Sequence, residues 1–193
     1  MNNSNFNRFM LYLNNKQFFP SDANSILKKT RELTHSLDII IRDCRISTKF
    51  MELEDSILKK YNVDKVLNLL NTISSIKELI EVKERHFPKN EAINNARVLF
   101  NEEKYWWSHE ALEMIWKESY EEEKQLLNGL ILVCAAFVHY QKDEYNVCLS
   151  ILERSMIKFL RVKKSIYYEI NIDEIKKRIT KILQSKEIVQ FKI

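Results

Sequence analysis

His109 and Glu113 stand four residues apart, with Glu110 between them, in the stretch Tyr105–Trp116. Helical spacing puts an imidazole and a carboxylate separated by four residues on one face, together with Leu112 and Trp116. That face is expected to turn inward. A charge or ring nitrogen taken out of water needs a partner, and His139, on a later apolar helical stretch, is the expected one. Two readings of His109, Glu110, Glu113 and His139 stay open. In the first, they form a buried hydrogen-bonded cluster that fixes how two helices pack. In the second, His109, Glu113 and His139 ligate a divalent metal, a two-histidine, one-carboxylate set with open coordination positions. Hydrolysis would then be metal-assisted, with Glu110 or Glu113 as base. The text His-Glu-x-x-Glu lacks the second histidine of the zinc-protease motif, and one such helix cannot supply a paired-iron site.

Other residues suggest surfaces. Trp106 and Trp107 are adjacent, so on a helix they point about 100° apart and cannot both enter the core. One of them is expected near the surface, where tryptophan commonly anchors a protein contact. Tyr12 and Phe50 could lie on neighbouring strands and present a sheet face to a protein partner, or stack bases, as sheet-based RNA readers do. Against that reading, Glu52 and Glu54 follow Phe50 and would repel phosphates.

Composition excludes several classes. The chain has a single glycine, Gly129, so no phosphate-cradling glycine loop can form. Cys44, Cys134 and Cys148 are far apart, without metal or disulfide spacing, and Cys134 and Cys148, in apolar helical stretches, are read as small core residues. The net charge of +4, from 31 basic and 27 acidic residues, leaves no basic stripe. Arg161–Lys164 and Lys176–Arg178 are short and read as solvated helix faces and ends. The longest apolar run, Leu126–Tyr140, includes Asn128 and His139 and is shorter than the roughly 20 residues a bilayer span needs. The asparagine-rich start resembles no secretory signal. A cytoplasmic location is therefore expected, with no membrane contact.

The elements that must hold these residues fall into two parts. Arg8–Leu13 reads as a strand ended by Asn14-Asn15. Ser21 is placed to cap a helix through Ile26, Leu27, Leu33 and Leu37. Ile39–Ile46 and Lys49–Leu53 form a hairpin about Ser47-Thr48. Asn62 opens a second helix through Val66 and Leu70, and Ile76–Val82 is a last strand. The order βαββαβ predicts a ferredoxin-like α+β domain over residues 1–85. Residues 86–193 are predicted to be all helical. Pro88 precedes a helix carrying Ala92, Ala96 and Phe100; further helices carry Tyr105–Trp116, Leu127–Val138 and Tyr145–Phe159. A last helix is capped by Asn171 and Glu174.

Phe100-Asn101-Glu102-Glu103-Lys104-Tyr105-Trp106-Trp107-Ser108-His109-Glu110-Ala111-Leu112-Glu113-Met114-Ile115-Trp116 resembles the signature of the archaeal and bacterial family known as domain of unknown function 309. The resemblance continues through Leu127-Asn128-Gly129-Leu130-Ile131, Ala135-Ala136 and His139-Tyr140, and covers about Asn90–Leu183. It implies an irregular bundle of short helices and brings no assigned activity. Trp107 stands where the family pattern has an acidic residue, so a third carboxylate is missing there. The combined expectation is a non-catalytic interaction or scaffold module that binds another protein or a second copy of itself. No cofactor is expected. The alternatives are a divalent-metal site and RNA or DNA binding through the N-terminal sheet.

Overall fold

Alternating apolar residues in the N-terminal part of the chain build a four-stranded antiparallel sheet in the structure, a computed structural model that describes residues 6–58, 63–83 and 86–193. Its strands are β1 (Phe6–Asn14), β2 (Ile39–Ile46), β3 (Phe50–Leu58) and β4 (Ile76–Glu81), in the order β2-β3-β1-β4. Helices α1 (Ala23–Thr34) and α2 (Val63–Leu70) complete this part. Cross-strand pairing sets Leu11 opposite Leu53 and Leu13 opposite Met51. With a side-chain period of two, those four residues share one face. They form a single core with Ala23 and Ile26 of α1 and Val66 and Leu70 of α2.

Two details differ from the sequence expectation. Ser21 does not cap α1: Pro20–Asp22 form a 3-10 turn, and the Asp22 carboxylate accepts the Phe19 N–H at 2.8 Å. Proline, with its φ already fixed, starts the turn before Ser21 can act as a cap. Strand β3 also runs on to Leu58, through Glu52, Glu54 and Asp55. Asn62, expected to open α2, lies outside the described residues, as do Glu84 and Arg85.

The rest of the chain is mostly helical: α3 (Lys89–Asn101), α4 (Tyr105–Lys117), α5 (Glu121–Tyr140), α6 (Tyr145–Phe159) and α7 (Ile172–Ser185). A two-stranded hairpin, β5 (Ile166–Tyr167) and β6 (Ile170–Asn171), precedes α7. Asn171 caps α7 by accepting the Glu174 N–H at 2.9 Å, while the Glu174 carboxylate pairs with Arg178. Contacts divide the chain into two compact units, Met1–Glu84 with Gln141–Asp143, and Arg85–Tyr140 with Glu144–Ile193. Among the described residues no helix is long and apolar enough to cross a membrane.

The core of the helical unit contains Phe100, Tyr105, Leu112, Leu130, Phe137, Leu152, Phe159 and Ile179. Gly129 lets α5 and α6 approach: a Cβ there would lie 2.5–2.9 Å from three carbons of the Phe159 ring. Phe159 is fully buried within the core of the helical unit. Gly129→Ala is therefore expected to destabilise the protein by about 1–3 kcal/mol through overpacking, outweighing the roughly 0.5–1 kcal/mol that alanine gains in a helix. Urea denaturation measures this, and adding Phe159→Leu is expected to recover part of the loss.

Candidate functional site

The register of α4 decides where its polar side chains go. Its buried residues are Tyr105, Ser108, Leu112 and Ile115. The expected inward stripe, which included His109, Glu113 and Trp116, is thus rotated. The reason is Ser108, which is fully buried and donates its hydroxyl to the Ala96 carbonyl at 2.8 Å, 3.3 Å from Cys134 Sγ. A small side chain with its hydrogen bond satisfied lets α3, α4 and α5 approach closely, and His109, Glu113 and Trp116 move to the half-buried edge.

At that edge His109, Glu110 and Glu113 converge. One donor atom from each lies within 4.8 Å of the other two, and His109 Nδ1 is 3.3 Å from Glu110 Oε1. The side chains of His109 and Glu110 are 27% and 42% exposed, so the cluster is open on one side. His139 does not take the place expected for it. Its Nδ1 pairs with the Glu144 carboxylate across the turn between α5 and α6, where the Glu144 N–H also reaches the His139 carbonyl at 2.9 Å. That local partner satisfies His139.

Trp106 and Trp107 are both half-buried, their rings 4.9 Å apart and nearly perpendicular. Trp106 is four residues before Glu110 and seven before Glu113, so it borders the cluster along the helix. All three cysteines are free and buried. Burial pushes the Cys134 and Cys148 thiols up to about 12, which keeps them protonated and unreactive.

Tyr12 and Phe50 do not offer a stacking platform. They are 1% and 2% exposed, packed edge to face at 5.0 Å, and Tyr12 Oη donates to Glu52 at 2.5 Å. Base stacking needs an open ring face. Around them runs a polar network that sequence reasoning missed. The buried Arg45 guanidinium binds Glu52, and it reaches Glu54 and Asp43 at 3.3 Å each. Arg8 joins through Glu54 at 2.7 Å. Burial alone would lower the Arg45 pKa, but Glu52, Asp43 and Glu54 outweigh it and hold the guanidinium charged.

Asp55, the next residue along β3, falls on the other side of the sheet by alternation, the side of Met51 and Leu53. It is fully buried, and among the described residues neither carboxylate oxygen has a hydrogen-bond partner. Burial first, and then the Glu54 charge, raise its pKa to about 8.

Residues 93–151 match the family model described as Domain of unknown function (DUF309). The match contains all of α4 and the His109–Glu113 motif, and the resemblance of the C-terminal half rests on it. No curated protein matches the chain.

The Asp55 environment has a measurable consequence. An unfolded chain ionises this carboxyl above about pH 4, whereas the folded protein keeps the proton until about pH 8. The folded state therefore binds more protons across that window. Its contribution to stability is full below pH 4, falls by up to about 1.4 kcal/mol per pH unit between the two values, and is constant above. Asp55→Asn, which cannot ionise, is expected to flatten that slope in urea titrations run from pH 4 to 9.

Proposed function

We propose that this protein is a non-catalytic interaction module whose helical unit binds a divalent cation through His109, Glu110 and Glu113. The observation that carries the reading is the convergence of three donor atoms at the half-buried edge of α4. Donors held 2.0–2.2 Å from a tetrahedral zinc lie about 3.5 Å from one another. A set already within 4.8 Å lies close to that spacing. One imidazole and two carboxylates suit zinc or manganese, and three protein ligands leave further positions for water or for a ligand group from outside. The exposed side of the cluster and the adjacent Trp106 make a partner protein the natural supplier of that group.

The hydrolytic alternative is weaker on this donor set. Glu110 and Glu113 would both be occupied as ligands, and neither would be free to act as base. The N-terminal unit is read as a ferredoxin-like βαββαβ domain, a reading supported by its element order and its strand order β2-β3-β1-β4. The division into domains at residues 85 and 86, and a cytoplasmic location, belong to the same proposal.

Calorimetric titration of the full chain with Zn²⁺ and with Mn²⁺ tests the cation site. The expected result is one equivalent bound, with affinity lowered at least about tenfold by His109→Gln and by Glu113→Gln and unchanged by His139→Gln. No uptake of either ion, or affinity indifferent to both substitutions at α4, would refute it.

A further inference from the structure

The buried residues of α6 include Leu152, Ser155 and Phe159. At 3.6 residues per turn the opposite side of its second half carries Arg154, Ile157 and Arg161, with Leu160 one turn from Ile157. Ile157 is 55% exposed and Leu160 80%. The end of the helix is firmly held. The Leu160 N–H reaches the Met156 carbonyl at 3.0 Å and the Arg161 N–H the Lys158 carbonyl at 3.1 Å, while the Glu122 carboxylate accepts the backbone N–H groups of Lys163 and Lys164. Phe159 and Val162, on either side of the Leu160-Arg161 pair, are buried. Anchored on both sides, Leu160 and Arg161 point outward.

The charge around these two aliphatic side chains is of one sign. Residues 154–168 contain five Lys and Arg and no acidic residue. Arg154, Lys158 and Arg161 have no carboxylate partner among the described residues. The nearest acid in the sequence, Glu153, is paired with Lys186 at 3.8 Å. A single exposed leucine needs no account. Two aliphatic side chains one turn apart, flanked by cations with nothing to neutralise them, call for an occupant that is both anionic and apolar.

We propose that the outer face of the second half of α6, with Arg154, Ile157, Leu160 and Arg161, is a docking surface for an anionic lipid bilayer. Leu160 and Ile157 stand out from the surface instead of lining a recess, so they can enter an acyl layer, which requires no matching cavity. The guanidinium groups then lie at the level of the lipid phosphates and carboxylates. Lys158, half-buried, lays its stem along the helix with its ammonium at the edge. The sequence expectation of no membrane contact rested on the lack of a spanning segment, and surface docking needs none. This inference is independent of the cation site.

Flotation of the full chain with vesicles tests it, using equimolar phosphatidylcholine and phosphatidylserine beside phosphatidylcholine alone. The expected result is binding to the mixed vesicles at least about tenfold tighter than to the neutral ones, falling steeply as salt is raised. Leu160→Ser is expected to weaken binding about tenfold or more, and so is the pair Arg154→Gln and Arg161→Gln. Lys29→Gln with Lys65→Gln, which removes the same charge from exposed positions on α1 and α2, is expected to leave it unchanged. All of these positions are exposed, so the variants are expected to fold, and circular dichroism checks this. No binding to the mixed vesicles, equal binding to both kinds, or binding indifferent to Leu160→Ser would overturn the assignment. Equal losses from the two charge-removing pairs would show adhesion through net charge alone and overturn it as well. A concentration-dependent dimer abolished by Leu160→Ser, without vesicle binding, would give the face to a second copy of the chain instead.

Discussion

The hydrogen bond from the Ser108 hydroxyl to the Ala96 carbonyl sets the rest of the helical unit. It is short, buried and made by a small side chain, so α4 lies close against α3 with Tyr105, Leu112 and Ile115 turned inward. Rotating α4 by one position would bury His109 and Glu113 and lift Ser108 out, leaving charged or polar groups without water. The register that avoids this cost is the one that gathers His109, Glu110 and Glu113 at the edge. Fold and candidate site are thus decided by the same packing choice, and the ring contacts of Phe100 with Tyr105 and Phe191 follow from it.

The N-terminal unit works by a different rule. One face of its sheet is an apolar core shared with two helices, and the other carries Arg45 ringed by Glu52, Glu54 and Asp43. Removing one member of a buried ion network leaves the others uncompensated, typically at a cost of about 3–5 kcal/mol. Arg45 is therefore what makes two glutamates tolerable in the middle of β3. Among the described residues Asp55 has no such counter-ion, and burial, with the Glu54 charge, favours its protonated form.

Much of this architecture was legible in the sequence, for physical reasons that differ from element to element. The bounds of β2, Ile39–Ile46, followed from a β-branched run closed by Ser47-Thr48, and the Asn171 cap of α7 from its spacing to Glu174. Strand β3 was read as ending at Leu53 because Glu54 looks solvated when its counter-ion Arg45, nine residues earlier in the neighbouring strand, is not known, and a carboxylate such as Asp55 is ordinarily exposed. The α4 stripe was misplaced because Trp116 carries more hydrophobic weight than Ser108, although only Ser108 fits between helices. The β5–β6 hairpin gave no signal: its turn residues Tyr168 and Glu169 take φ of 45° and 64°, where glycine or asparagine would ordinarily announce the turn. The segment after α7 was equally silent, since Ile188, Phe191 and Ile193 follow neither helical nor strict strand periodicity. Of the candidate cluster, the α4 members were found by spacing, whereas the assignment of His139 to them failed because Glu144, five residues on, is closer in the chain and in space.

The proposed site rests on three α4 donor atoms within 4.8 Å of one another, while His139 of α5 is engaged by Glu144. Nitrogen-15 spectra of the four histidines during zinc addition test this most directly. The account predicts that the ring nitrogens of His109 alone shift and sharpen into a bound form, with His35, His86 and His139 unchanged. A spectrum in which His109 does not respond, or in which His139 moves together with it, would contradict the α4 register and the site built on it.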